Sequence, residues 1–237
     1  MSDTLANRID AQSWEQIVHE LDAQGYATLP RLLKEEECQE LIAGYSADSL
    51  FRKTIPMERY RFGSGEYRYY QAPLPPLVQQ LRASLYPRLA PVANHWGQLL
   101  GHTAAFPAAL TDFLDHCHQH GQTRPTPLIL KYEAGGYNCL HQDMYGELFF
   151  PFQVVFVLNQ QEKDFSGGEF LLTEQRPRAQ SRGHVITLEQ GAGLIFPTSY
   201  RPVAGTRGYY KTTMRHGVST ITTGTRYSLG IIFHDAT

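Results

Sequence analysis

The sequence predicts an α+β fold, mainly β, in which an N-terminal helical layer packs against an antiparallel sandwich or closed barrel. Two observations predict it. Before residue 125 apolar residues recur at intervals of three and four, the spacing of one helix face. After Pro127 they come in about eight short runs bounded by glycine pairs and other turn signals, the grammar of a β core. No repeat, low-complexity tract or linker divides the 237 residues. Residues 1–237 therefore read as one domain, with 1–125 as mostly helical support and 126–237 as the core.

In order, Trp14, Ile17, Val18 and Leu21 form a helical stripe. Ser13 and Gln16 offer a capping box, and Gly25 a stop. Residues 26–30 read as a short strand. Residues 35–45 read as a second helix, with Leu41 and Ile42 inward and acidic residues in the first turn, where the helix dipole favours them. Residues 51–68 read as a loop rich in Arg, Tyr and Gly, and 67–71 as a strand. Residues 77–100 are helical in pattern but should break at Pro87 and Pro91. Residues 108–120 form a further helix, ended by Gly121. The core then runs through strands at 128–132, 137–141, 148–158, 169–173, 185–188, 193–196, 211–218 and 227–234, with Gly135-Gly136 as a turn.

Apolar content of 42% and charged content of 19% exclude a disordered chain. A net charge of −2 gives no overall attraction to nucleic acid. The charge is uneven, however. Between 175 and 215, Arg176, Arg178, Arg182, Arg201, Arg207, Lys211 and Arg215 face Glu189 alone. That run is either a solvated face or the rim for an anionic substrate. Cys38, Cys117 and Cys139 are too few for a disulfide framework, so a reducing, cytoplasmic setting is expected. The N-terminal residues lack a basic start and an apolar run, so no signal peptide is expected. The longest near-apolar run, 148–158, is too short for a membrane helix, and no membrane partner is expected.

The chemistry concentrates at Leu140-His141-Gln142-Asp143. On a strand, residues two apart share a face, so an imidazole and a carboxylate aim at one point. His216 adds a second imidazole from a later strand. Two histidines and one carboxylate make the facial set that holds non-heme Fe(II) and leaves positions open for substrate and oxygen. Arg226 is the tenth residue after His216, again in strand-like sequence. A guanidinium buried there needs an anion, and its shape suits a carboxylate. Ser228 lies on the same face. Gln142, Asn138 and Tyr145 are candidates to orient ligands or substrate.

His141-x-Asp143, His216 and Arg226-x-Ser228 together resemble the HxD…H…RxS signature of the Fe(II)/2-oxoglutarate oxygenases, whose fold is a double-stranded β-helix, a jelly-roll of eight strands. The resemblance implies Fe(II), 2-oxoglutarate as co-substrate, and O2. It implies that His141, Asp143 and His216 bind the metal as the catalytic set. Arg226 and Ser228 would take the distal carboxylate of 2-oxoglutarate. Tyr132, nine residues before His141, matches a tyrosine that these enzymes often place on 2-oxoglutarate. The interval from His216 to Arg226 is similar to that of the prolyl 4-hydroxylase branch.

A closer resemblance covers most of the chain. Phe62-Gly63-Ser64-Gly65-Glu66-Tyr67, Asn138 to Asp143, Gly167-Gly168-Glu169-Phe170, Glu174 to Arg178 and Ile231 to Asp235 resemble a bacterial oxygenase family. That family is commonly labelled AlkB-like and said to act on damaged DNA. Leu140-His141-Gln142-Asp143 is also similar to the LHQD of AlkB-type demethylases. Those place an asparagine eleven residues before the metal histidine, where this chain has Leu130, and they space their C-terminal arginine pair differently.

The function so implied is oxidative demethylation of N-alkylated nucleobases, with single-stranded or damaged DNA as partner. The alternative is hydroxylation of a protein or peptide side chain; a third reading is a non-catalytic jelly-roll that binds a metal or small ligand. Basic and aromatic residues interleave from Arg59 to Tyr70, a pattern that can stack bases and contact phosphate. Arg61, Tyr67, Tyr69, Asn138, Arg176 and Arg178 are the candidate substrate contacts. His116 and His120 share a helix face, but without a second cluster at zinc-like spacing they read as a polar helix end. His234 and Asp235 are adjacent and should face opposite ways on a strand. Cys139 is expected to pack or to face the cavity beside His141.

Overall fold

The computed structural model describes residues 3–237, so the first two residues of the N-terminal stretch lie outside it. The N-terminal part carries helices α1 (Leu5–Asp10), α2 (Trp14–Gln24) and α3 (Glu35–Ala43), with strand β1 (Ala27–Leu29) between the last two. Gly25 ends α2 in the left-handed conformation (φ +87°) that glycine adopts without strain. Ser13 does not cap α2 with its side chain. The reciprocal contact falls on α3 instead, where the Glu37 carboxylate accepts from the Lys34 N–H at 2.8 Å.

The stretch read as a loop over 51–68 is corrected by the structure. It holds β2 (Phe51–Pro56), a 3-10 turn, β3 (Gly63–Ser64) and the start of β4 (Glu66–Tyr70). β2 pairs with β4, and β4 in turn joins the main sheet, so residues of the presumed support layer extend the core. Helix α4 (Pro76–Leu99) also departs from expectation: it runs through Pro87 and Pro91. Both prolines are exposed, as are Ala83 and Pro87, whose carbonyls lose their amide partners. Water can satisfy those carbonyls, which lowers the cost of each proline. Helix α5 (Leu110–Gln119) completes the helical layer.

The remaining strands are β5 (Leu128–Glu133), β6 (Tyr137–His141), β7 (Phe152–Val157), β8 (Phe165–Gly167), β9 (Phe170–Gln175), β10 (Arg182–Ile186), β11 (Gly193–Pro197), β12 (Tyr200–Gly205), β13 (Gly208–Val218) and β14 (Ile221–Ile232). All pairings between these strands are antiparallel. The larger sheet runs β1-β11-β7-β14-β5-β4-β2, with β8 on the end of β14. The smaller runs β10-β9-β13-β6-β3, with β12 forming a hairpin on β13. These are the two sheets of a double-stranded β-helix. The chain pattern had not marked β8 or β12.

Alternation along the strands divides the larger sheet's residues between two cores. Ile129, Val154, Phe156, Leu229 and Ile231 face the helical layer and join Leu81, Leu85, Tyr86 and Trp96. Leu128, Tyr132, Val155, Val157 and Ile232 face the smaller sheet and meet Phe170, Leu172, Met214 and Val218. β7 is covered on both faces, which is why all six of its residues are buried and its sequence is apolar except for Gln153. The pocket opens between the sheets, among residues of the second set.

Candidate active site

His141 ends β6, and His216 sits directly opposite it on β13. One residue of register is lost between them and the next pair, Val218 with Asn138. β6 therefore carries a bulge at Cys139 and Leu140, opposite Gly217. A side chain at position 217 would come within 2.5 Å of the Asn138 carbonyl, so the glycine admits the bulge. The bulge turns Asn138 and His141, three apart in sequence, into the same pocket. It also leaves Cys139 exposed, against the expectation that it would pack or face the cavity. Asp143 lies beyond the end of β6 rather than on it, yet its carboxylate returns to both rings.

The Asp143 oxygens stand 3.5 Å from His141 Nε2 and 3.2 Å from His216 Nε2. The three offered ligand atoms lie within 4.8 Å of one another, the single such group among the described residues. His141 Nδ1 donates to the Cys139 carbonyl at 2.8 Å, which fixes the ring and turns Nε2 inward. Phe170 stacks on His216 with ring planes 8° apart, and Phe62 packs 5.7 Å from His141, so apolar walls surround the polar centre. Tyr145 donates its hydroxyl to Asp143 at 2.7 Å, and Gln142 anchors the intervening backbone through Ser199 and Met214 carbonyls.

Burial works against the charge on Asp143, but hydrogen bonds and charge from His141 and His216 outweigh it and hold the carboxyl well below its usual range. Burial likewise opposes protonation of His141, yet the Asp143 carboxylate lifts it above its usual value. His216 moves the other way, lowered by burial and by the neighbouring imidazole. The ionised Asp143 carboxylate and the neutral, desolvated His216 imidazole are in the protonation states a divalent metal requires, and a metal at His141 would displace the proton that Asp143 favours there. The donor set and its spacing thus fit one iron.

The second half of the site is Arg226, on β14. It is 1% exposed. Among the described residues its Nη1 donates to Ser228 Oγ at 3.1 Å, its Nε has no partner, and no carboxylate pairs with it. Burial pulls its pKa below the usual value, with Tyr132 and Glu169 partly opposing. Tyr132 lies opposite it on β5, with the guanidinium 5.8 Å from the ring centroid. The Tyr132 hydroxyl accepts from Asn138 Nδ2 at 3.4 Å, and burial pushes its pKa up to about 12. Arg226, Ser228, Tyr132 and the three metal-type side chains line one cleft. A buried guanidinium without a counter-charge is costly, and a dicarboxylate reaching from the His–Asp–His centre would relieve it.

The candidate substrate residues divide. Tyr67 and Asn138 line the cleft, as does Phe62, which belongs to the motif of the closer resemblance but is not among the expected substrate contacts. Tyr69 does not line it. It stands one layer back, edge-on to Tyr67 and Tyr145, under the Arg52 guanidinium. Arg61 is exposed at φ +60° where the 3-10 turn ends. Arg176 pairs with Glu174 at 2.9 Å, and Arg178 is exposed between β9 and β10. Neither lines the cleft. Arg201, part of the same basic run, is buried and tied to Glu174 at 2.9 Å, so it belongs to the scaffold. His120 Nδ1 donates to the His116 carbonyl at 2.8 Å. His234 and Asp235 face apart: the first accepts from the Phe150 N–H, the second pairs with Arg82 and His118.

The fold is similar to that of a Pseudomonas putida prolyl-4-hydroxylase (TM-score 0.58, 14% identity, covering 94% of this chain and 99% of that one). It is also similar to a 2OG-Fe(II) oxygenase family oxidoreductase from Burkholderia pseudomallei (TM-score 0.56, 16% identity, covering 96% and 93%). Two uncharacterized proteins of Mycobacterium tuberculosis, from strains CDC 1551 and H37Rv, are each 52% identical over 167 residues, covering 70% of this chain and 72% of theirs. Fold and chemistry define an Fe(II)/2-oxoglutarate-dependent oxygenase, which uses Fe(II), 2-oxoglutarate and O2. Within that class, residues 65–236 match the family described as "Oxygenase, catalysing oxidative methylation of damaged DNA", and the chain belongs to it. No helix among the described residues is long and apolar enough to cross a membrane.

Proposed function

We propose that this oxygenase removes alkyl groups from damaged nucleobases in DNA, with His141, Asp143 and His216 holding the iron and Arg226, Ser228 and Tyr132 holding 2-oxoglutarate. The observation that carries the co-substrate assignment is the buried, unpaired Arg226 in the same cleft as the His–Asp–His cluster. The family description supports the substrate class. The aromatic walls agree with it: Phe62 and Tyr67 flank the cleft, and Tyr60, 47% exposed, continues the aromatic surface outward beside Arg59. A flipped base would stack on such a wall.

When bound, iron with 2-oxoglutarate and O2 supplies the oxidising power that yields succinate and carbon dioxide and puts one oxygen atom into a substrate C–H bond. The chain's residues do the rest. Arg226 and Ser228 orient the far carboxylate, a bidentate partner for the guanidinium. The Tyr145 hydroxyl holds Asp143 in its deprotonated, inward pose. Phe170, Phe196 and Val218 keep water from the centre. On an N-methyl group, hydroxylation gives a carbinolamine that releases formaldehyde.

The test is succinate formation with Fe(II) and 2-oxoglutarate in the presence of N-methylated single-stranded oligonucleotides, undamaged oligonucleotides, or proline-containing peptides. The reading predicts stimulation by methylated oligonucleotide with formaldehyde release, and binding that weakens steeply with salt. Stimulation by peptide alone would replace it with side-chain hydroxylation.

A further inference from the structure

We propose that Gln122, outside the cleft and on no strand, positions the metal-binding loop; this rests on Asp143 being an iron ligand. Residues 142–151 have no regular secondary structure, and none of residues 143–149 takes part in a backbone–backbone hydrogen bond among the described residues. The loop is pinned at its start by Gln142 and at its end by Phe150, whose N–H donates to His234 and whose carbonyl accepts from Thr198. Its middle is held by one side-chain amide.

Gln122 is 1% exposed. Its Nε2 donates to the carbonyls of Tyr145 (3.2 Å), Leu148 (2.8 Å) and Asp235 (2.6 Å), and its Oε1 accepts from the Leu148 N–H at 2.9 Å. One amide thus answers four backbone groups, one of them fully buried and three partly so. The C-terminal end of α5 delivers it, since the Gln122 N–H donates to the Cys117 carbonyl at 2.9 Å. The loop is shaped to receive it. Gly146 has φ +101°, and a β-carbon there would overlap the Gln122 amide. The chain of positioning runs from Gln122 to the Tyr145 backbone, from the Tyr145 hydroxyl to Asp143, and from Asp143 to both histidines.

The same clamp occurs elsewhere without a metal ligand. Asn94 donates to the Phe106 carbonyl and accepts from the Phe106 N–H, holding residues 100–109 on α4. It is the control. Gln122→Leu, Gly146→Ala, Asn94→Leu and Asp143→Ala are compared by titrating Mn(II) into the full chain, each below its unfolding midpoint, with 2-oxoglutarate affinity then measured on metal-saturated protein. Gln122→Leu and Gly146→Ala should each weaken metal binding about 10- to 100-fold, as loss of an outer positioning contact does. Their 2-oxoglutarate affinity once metal is saturating should change less than twofold, and Asn94→Leu should destabilise without changing metal affinity. Gly146→Ala displaces the loop without altering Gln122, so it keeps the test open should Gln122→Leu fail to fold. If both loop variants bind metal within about twofold of the unaltered protein while Asp143→Ala loses it, the role of Gln122 is overturned and the metal assignment stands. If Asp143→Ala binds metal normally, the metal assignment itself fails.

Discussion

Arg82 and Arg226 are both buried, and they are opposites. Arg82, on α4, donates to the carbonyls of Ile232 and Phe233 and to Asp235 at 3.0, 2.8 and 2.7 Å. It knits the helical layer to the end of the main sheet. Arg226 has one hydroxyl partner and an unanswered Nε. Both lose solvation, and burial lowers the pKa of both, but only Arg82 has a carboxylate to offset it strongly. A satisfied buried charge belongs to the scaffold; an unsatisfied one waits for a ligand. Arg201, paired with Glu174, falls on the Arg82 side of that line.

The largest expected effect removes the centre beside Arg226. His141→Ala should drop succinate formation to background and abolish stoichiometric metal binding, measured on folded protein. Full turnover would break the assignment of the whole cleft.

Arg82→Met should cost about 3–5 kcal/mol in chemical denaturation, because it leaves the buried Asp235 carboxylate with only the half-exposed His118 to answer its charge. Arg226→Met should cost less than about 1 kcal/mol, or stabilise, in the absence of co-substrate, since it replaces an uncompensated charge with an apolar side chain. The same change should cost about 2–5 kcal/mol in 2-oxoglutarate binding. Equal stability losses in the two variants would erase the contrast.

His234 sharpens it from the scaffold side. It is buried beside Arg82, and burial, with the charge of Arg82 adding to it, lowers its pKa to about 4. The folded state therefore binds fewer protons than the unfolded state between about pH 6.5 and 4. Its stabilising contribution is complete above pH 6.5 and is lost as pH falls towards 4, on the order of 3 kcal/mol in all. His234→Gln should flatten that part of the acid-denaturation curve. A smaller effect is expected at Tyr145→Phe, which removes the hydroxyl from Asp143 and should weaken metal binding about 10- to 100-fold with little change in 2-oxoglutarate affinity.

The sequence carried the parts of the site that depend on residue type and interval. His141, Asp143, His216, Arg226 and Ser228 could be named from residue type and interval, and Tyr132 from the family resemblance; the structure brings all six to one cleft, although Asp143 reaches it from the loop after β6 and not by strand alternation. What it hid depends on neighbours far along the chain. The bulge opposite Gly217 exists only once β6 and β13 pair, so Cys139 was aimed wrongly. The Arg-rich run from 175 to 215 looked uniform, yet Glu174 buries Arg201 and holds Arg176, while Arg178 stays in solvent. Gln122 carries no motif at all; its role comes from Gly146 and the Leu148 backbone arriving beside it. The prolines of α4 were misread because a sequence does not say which face of a helix meets water.

The most direct measurement is a calorimetric titration of 2-oxoglutarate into anaerobic Fe(II)-loaded protein, carried out on the unaltered chain, Arg226→Met and Arg82→Met under conditions where all three are folded. One site per chain is expected, with an affinity reduced at least about 30-fold in Arg226→Met and unchanged in Arg82→Met. Undiminished binding in Arg226→Met would contradict the co-substrate assignment.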